Sequence, residues 1–383
     1  MVIQNPGDNG RRRVVVVGAG IVGASIAFHL SRRDVTLTVI ESGQPGSGTS
    51  GRSFAYLNSF GKEPWFYHDF NRRSMDAWDR FTRRLGADVG LRWGGKLQWE
   101  SSDQGADQLR ERVEKLQARG YPCRLIDEAE MRRIEPGIFS DGVTAAVYCE
   151  NEGQVDPPSV ARACLERARE AGARVLLDTP VTGLTVGRRE DGGSGVTAVQ
   201  TTGGDIECDA LVLAAGVGTT SLAAMAGLDI PQPESPGVLI HTDPRPPLLQ
   251  TVSVVYAPPL DEGSGEVHLR QRADGSVMIG IGTQESLSKD NSQENTERLL
   301  SRARKILPAL GGARAIPMPI GYRPMPSDGL PIIGFTGPVP NLYVALMHSG
   351  VTLAPIVGEL ATLEIVDGAC VEMLEHYRLS RFD

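Results

Sequence analysis

Three glycines and one glutamate combine type and spacing in a way that points to a definite chemistry. Gly18, Gly20 and Gly23 form G-x-G-x-x-G directly after the apolar run 14–17. The first glycine of such a motif permits a tight turn, the second lets the backbone approach a pyrophosphate, and the third lets the next helix sit close on its strand. The N–H groups of Ile21 and Val22, at the start of that helix, can face phosphate oxygens. Glu41, followed by Ser42, ends a second apolar run, 37–40. A carboxylate at that place can accept hydrogen bonds from ribose hydroxyls. This is the chemistry of holding a dinucleotide, and the motif alone does not separate NAD from FAD.

The elements that must position these residues are legible around them. The β-branched run 14–17 reads as a strand buried in a parallel sheet. Ile21, Ala24, Ala27, Phe28 and Leu30 suit a helix covering that sheet. After Glu41 the stretch 43–58, GQPGSGTSGRSFAYLN, is small and polar before it turns apolar. Thr49, Ser50, Arg52 and Ser53 there can supply hydroxyls and backbone N–H groups to a cofactor. Strand and helix material returns at Asp156-Pro157, a helix entry followed by Val160, Ala163, Cys164 and Ala168. A strand at 174–177, a hairpin turning at Gly203-Gly204 and a buried strand running to Gly216 follow. The nucleotide-binding unit is therefore discontinuous in sequence.

Composition narrows the function classes. The chain has 383 residues, 40% of them apolar, and a net charge of −8. That excludes a broad nucleic-acid footprint, and the cluster Arg11, Arg12 and Arg13 is expected to be solvated. No stretch is long and apolar enough to span a membrane, and residues 1–10 lack the apolar core of a secretory signal. The five cysteines are scattered, with no CxxC pair, which fits reduced thiols in the cytoplasm. No metal-ligand spacing stands out.

The matching pieces lie in a specific order: GAGIVG with Glu41, the GSGTSGRS loop, the DPPSV helix entry, ALVLAAG, YRPMPSDGLPIIG and NLYVALMHSGVTLAPIVGE. In this the chain resembles the D-amino-acid oxidase/glycine oxidase/sarcosine oxidase family of FAD-dependent oxidoreductases, with glycine-oxidase-like and iminodiacetate-oxidase-like members nearest in pattern. The resemblance implies FAD and oxidation of a C–N bond. It places Val181 at the adenine and Ala215 and Gly216 by the pyrophosphate or ribose. Ser349, Gly350, Val351, Thr352 and Leu353 would open the last helix, its N–H groups towards the flavin C2 carbonyl. A helix N-terminus favours the negative charge that a reduced flavin develops there.

The expected fold is α/β: a Rossmann-like FAD-binding domain from 11–87, 151–226 and 319–370, and a mostly antiparallel-sheet substrate domain from 88–150 and 227–318. Segments 1–10 and 371–383 are terminal. Within the excursions, 265–283 reads as a hairpin turning at Asp274-Gly275 and 291–307 as an amphipathic helix. Residues 65–85 read as a helix with Phe66, Phe70, Trp78, Phe81 and Leu85 on one side.

The resemblance implies that Arg323 binds the substrate carboxylate, since a guanidinium offers it two parallel donors, and that it stands beside the cofactor. His348 stands where the glycine-oxidase branch has another arginine, and Arg52 matches a residue near the flavin ring. Tyr256, His268, Arg270, Arg272 and Tyr322 are weaker candidates. Where the sarcosine-oxidase branch carries its flavin-linking cysteine, near Tyr322, this chain has none, so FAD is expected to be non-covalent. Met278 is expected in place of that branch's lysine over the flavin, which weakens the case for oxygen as acceptor. The expected reaction is hydride transfer from a small amino acid or N-substituted glycine (iminodiacetate, sarcosine, glycine or a D-amino acid) to flavin N5, then imine hydrolysis. A dehydrogenase using another electron acceptor, an NAD enzyme and a non-catalytic flavoprotein subunit are the alternatives. A homo-oligomer is compatible with all of these.

Overall fold

The computed structural model describes residues 10–140, 142–189, 192–260, 265–282 and 287–383. Residues 1–9 of the leading segment and Thr283 at the end of the hairpin stretch lie outside the described residues.

A six-stranded sheet carries the nucleotide motif. Its order is Ile332–Phe335, Leu342–Leu346, Ala210–Leu213, Arg12–Val17, Val35–Ile40 and Arg174–Leu176. Every pairing is parallel except that of the first strand. Val14 to Val17 are all buried because both faces are covered. On one face, Val14 and Val16 pack with Ala24 and Phe28 of helix Ile21–Leu30, Val160 of helix Pro157–Glu170 and Leu353 of helix Gly350–Asp367. On the other, Val15 and Val17 pack with Val196, Val199 and Ile206. Those three belong to a separate three-stranded sheet, Val181–Arg188, Ser194–Thr201 and Gly204–Glu207.

The helix ends follow from local chemistry. Asp156 accepts a hydrogen bond from Ser159 N at 3.0 Å and Pro157 opens the helix, as capping preferences require. Helix Trp65–Leu85 stops at Gly86, whose φ of 62° is left-handed. The expectation for the arginine cluster is corrected in part. Arg13 bonds Asp209 and Glu207, and Arg12 donates to the Ile365 carbonyl. Strand charges at the sheet's entry thus pair with the strand and helix alongside rather than with solvent.

An eight-stranded sheet forms a roof. Its order is Ala315–Pro317, Leu239–Thr242, Val277–Ile281, Val267–Gln271, Val254–Ala257, Lys96–Glu100, Ala145–Cys149 and Cys123–Ile126. All its pairings are antiparallel except Val254–Ala257 with Lys96–Glu100. That parallel seam is where the two chain excursions meet. Leu97, Val255, Leu269 and Ile279 on one face pack against Leu299, Leu300, Ala303 and Ile306 of helix Gln293–Ile306. Beside the other face lies helix Asp103–Gln117, an element the strand-based reading of 88–150 did not include. Its Ala106, Leu109, Val113 and Leu116 pack on Cys123, Val147 and Cys149. The end of the chain is no loose tail. Leu374 and Tyr377 are buried, and Arg378 pairs with the buried Glu364.

The tightest constraint is at the first turn. A Cβ on Gly23 would lie 2.0 Å from the Gly18 carbonyl oxygen, and Gly18 itself sits at φ +104° with its own Cβ position 2.5 Å from the Ala214 oxygen. Helix and strand are therefore in direct backbone contact. Gly23→Ala is expected to lower the unfolding free energy by about 1–3 kcal/mol or more, the usual cost of overpacking, and to reduce bound chromophore. Gly311→Ala, with nothing within 4 Å of the new Cβ, is the control. Chemical denaturation and the visible absorbance of the purified protein check both.

Candidate active site

The cradle is built from backbone. Gly18 N donates to the Ile40 carbonyl at 2.8 Å and Ala214 N to the Val17 carbonyl at 2.9 Å, which holds three strand ends level. Glu41 then reaches back across them. Its Oε2 accepts from Ala19 N at 2.7 Å and its Oε1 from Gly43 N at 2.9 Å. Ser50 Oγ accepts from Ile21 N at 3.0 Å. The helix start has no side-chain cap from Gly20, so its remaining first-turn N–H groups face outward, as an anion site needs.

A cavity of about 340 Å³ lies over this cradle. Gly18, Gly20, Ile21, Val22, Glu41, Ser42, Thr49, Ser50, Ser53, Val181, Ala215, Gly216, Gly350 and Val351 all line it. Of the other expected cofactor residues, Arg52, Arg323, Ser349 and Thr352 line a second cavity, and Gly23 and Leu353 line neither. Gly23 is the packing glycine described above. Leu353 is fully buried in the core, and its N–H is spent on the Ser349 carbonyl at 2.9 Å.

A second cavity of about 660 Å³ continues from the first and shares Thr49, Ser53, Pro324, His348 and Val351 with it. Arg323, Arg52, Tyr256, His268, Tyr322, Ser349 and Thr352 line this second cavity. The last helix begins at the junction of the two. Its N-terminus is fixed by Ser74 Oγ and Trp78 Nε1, which donate to the Thr352 carbonyl at 2.7 and 3.1 Å, and by Tyr67 OH, which donates to Ser349 Oγ at 2.8 Å. Arg323 Nη1 donates to the Pro236 carbonyl, and a Cβ on Gly237 would lie 2.5 Å from its Nη2. Arg270 and Arg272 line neither cavity. Arg270 is buried behind the site, bonded to Gln154 at 2.6 Å. Met278 is also outside both cavities. It lies next to Arg270, on the face that carries His268 but beyond the cavity wall.

Burial and neighbouring cations decide the charge states. His348 is lowered to about 3 by burial, then by Lys62 and Arg323. His268 is lowered to about 4 by burial and by Arg323. Both imidazoles are neutral at ordinary pH. The phenol of Tyr256 is raised by burial and then by Glu152 and Glu266, so it stays protonated.

Several charged residues that the sequence reading passed over belong to the site, Arg298 and Arg302 among them. Lys62, Lys96, Arg112 and Glu266 line the second cavity. Burial lowers Lys62 to about 8, with Glu152 opposing the shift. Lys96 is 5% exposed and is lowered by burial, again with Glu152 opposing. Glu152, fully buried, stands behind them. It accepts from Tyr121 OH at 2.6 Å, from Phe60 N at 3.0 Å, from Ser59 N at 3.2 Å and from Tyr56 OH. Lys96 carried no signal of burial, because Lys96-Leu97-Gln98-Trp99 alternates polar and apolar residues as a strand with one solvated face does. Among the described residues no group of His, Cys, Asp or Glu could hold a metal, and no helix is long and apolar enough to cross a membrane.

The donor set suits a flavin dinucleotide: a glycine cradle with an acid on its second strand, hydroxyls at Thr49 and Ser50, and an uncapped helix start at the junction. Comparison with known proteins agrees. The chain is 27% identical to glycine oxidase of Geobacillus kaustophilus over 359 residues, covering 91% of this chain and 92% of that one. It is 26% identical to glycine oxidase of Bacillus licheniformis over 384 residues, covering 97% of this chain and 98% of that one. Among solved structures it is similar to L-proline dehydrogenase from P. horikoshii, with a TM-score of 0.84 at 26% identity, covering 97% of this chain and 98% of that one. The family model for FAD dependent oxidoreductases, DAO, matches residues 13–363, and the chain belongs to that family.

Proposed function

We propose that this protein oxidises the C–N bond of a small amino acid or N-substituted glycine, with FAD held non-covalently in the first cavity and its ring end at the junction. The observation that carries this reading is the convergence of Arg323 and the uncapped start of helix Gly350–Asp367 on one cavity wall region. The bound cofactor would supply a two-electron acceptor for the hydride. The protein's own residues do the rest. Arg323, kept in place by the Pro236 carbonyl and the absent side chain of Gly237, offers paired donors to a carboxylate and so orients the carbon next to nitrogen. Neutral His348 and His268 can meet the amine without adding charge. Neither is basic enough to serve as a strong general base. The surrounding cations lower the pKa of the substrate amine, which lets it enter as the free base.

Two further points bear on the cofactor and acceptor. Among the described residues no cysteine lines either cavity, which supports non-covalent FAD. The doubt about oxygen rested on Met278 standing in for a lysine. Lys62 and Lys96 line the cavity from other elements, so a lysine is available to the site although the hairpin supplies none. The names of the similar proteins, two oxidases and a dehydrogenase, leave the acceptor open. Oxygen uptake beside dye reduction measures it.

An anaerobic bleaching screen of amino acids and secondary amines tests the reading as a whole. Loss of the 450-nm region absorbance (about that wavelength for oxidised flavins) is expected with at least one member, and an intact flavin that no amine bleaches overturns it. Acid precipitation is expected to release the chromophore into the supernatant. Glu41→Ala is expected to weaken FAD binding by about tenfold or more, since charge-assisted hydrogen bonds contribute roughly 1.5–3 kcal/mol. The rate of bleaching in the loaded fraction should change far less. Arg323→Ala should cut kcat/KM by about ten- to a hundredfold, and Arg323→Lys should recover only part, because an ammonium lacks the paired donors. Gly237→Ala moves the guanidinium without removing it and should raise KM for the amino acid more than for its decarboxylated amine. An amino acid preference that survives Arg323→Ala places the carboxylate elsewhere.

A further inference from the structure

The second cavity holds more positive charge than one carboxylate needs. In a chain of net charge −8, the Lys and Arg side chains lining it outnumber its single lining carboxylate, Glu266, several-fold. Lys96 is the most telling of them. It is 5% exposed, and among the described residues its ammonium makes no hydrogen bond or ion pair. Its contacts are two aromatic faces, Phe60 at 3.9 Å and Tyr256 at 4.9 Å. The buried Glu152 offsets its charge from behind, but the oxygens of Glu152 are already taken by Tyr121, Tyr56 and two backbone N–H groups. A buried ammonium aimed into a cavity with its donors unspent lacks a partner. Arg112 also lies over the Phe60 ring, at 5.8 Å, and lines the same cavity.

The sheet sets the separation between this end and the Arg323 end. His268, which feels the charge of Arg323, lies on strand Val267–Gln271. Lys96 lies on Lys96–Glu100, with Val254–Ala257 between them. Two strand spacings amount to about 10 Å. Lys96 is thus rooted two strands from the residue that feels Arg323, which leaves its donors for a second anion. Resting on the proposed amine oxidation, we infer that the substrate is a secondary amine with a second, remote carboxylate. Arg323 takes the carboxylate next to the reacting carbon. Lys96, with Arg112 at the mouth, takes the far carboxylate on the N-substituent. The volume of about 660 Å³ leaves room for such an arm beside a flavin ring.

A matched pair tests this: N-(carboxypropyl)glycine against N-butylglycine, similar in length and differing in the terminal charge. With the FAD-loaded protein, kcat/KM is expected to be at least about tenfold higher for the diacid, mostly through KM. Lys96→Met should bring the ratio close to one, and Arg112→Leu, at an exposed position, should lower it by a smaller factor. A wild-type enzyme that bleaches with both compounds at equal kcat/KM overturns the second carboxylate site and leaves amine oxidation standing. A ratio that survives in both variants also overturns it. If neither compound nor any other amine bleaches an intact flavin, amine oxidation itself fails, and this inference with it.

Discussion

A single buried carboxylate, Glu152, underlies the arrangement of the site. It has no exposed surface, so its charge must be met inside the protein. Two tyrosine hydroxyls and two backbone N–H groups meet it directly. Three of those four donors come from Tyr56, Ser59 and Phe60, which follow the small polar loop over the cofactor cradle. The fourth, Tyr121, belongs to the excursion that forms the roof. The carboxylate therefore joins the two parts of the molecule at the wall of the second cavity. Its field also reaches Lys62 and Lys96, opposing the loss of their protons. Without it, Lys62 and Lys96 would be far costlier to hold as cations.

Burial and the cations, not Glu152, explain the histidines. A cavity arranged to attract anions repels an imidazolium, so His348 and His268 are held neutral by burial and by the cations nearby. That separates two tasks that one residue type can confuse. Arginine and lysine bind charge, while histidine offers a neutral polar surface. The uncapped start of the last helix adds a fixed partial positive charge where the cavities join. Its N–H groups cannot lose that charge on titration, so the junction keeps its polarity over the whole working pH range.

What was legible in the sequence was what depends on short-range geometry. Gly18, Gly20, Gly23 and Glu41 announced the cradle because a turn and a helix start are local events. The helix at Trp65–Leu85 and the hairpin at Asp274-Gly275 were legible for the same reason. The roof was harder. Lys96-Leu97-Gln98-Trp99 alternates polar and apolar residues, which reads as a strand with a solvated face. In the fold the loop around Phe60 and helix Asp103–Gln117 cover that face, so Lys96 is buried. Glu152 sits in an acidic stretch, CENEG, that reads as a surface turn. Helix Asp103–Gln117 did carry a signal, with Ala106, Leu109, Val113 and Leu116 spaced for one face and Ser102 as its cap. Met278 shows the opposite error: a hairpin pattern places a residue on a face but not at a position along it.

The parallel seam between Val254–Ala257 and Lys96–Glu100 makes the roof a composite. One excursion supplies Lys96, Gln98 and Arg112; the other supplies Tyr256, His268 and Glu266; Arg323 follows the second as the chain returns. The first excursion packs on helix Asp103–Gln117 with one face of its strands and shares the core under helix Gln293–Ile306 with the second through the other. The wall of the second cavity is therefore built jointly by both excursions and by the returning chain. Cofactor geometry is fixed by backbone contacts at Gly18 and Gly23 in the other sheet altogether. The cradle thus depends on two glycines whose Cβ positions are already filled by backbone, whereas the wall of the second cavity is made of side chains from several elements.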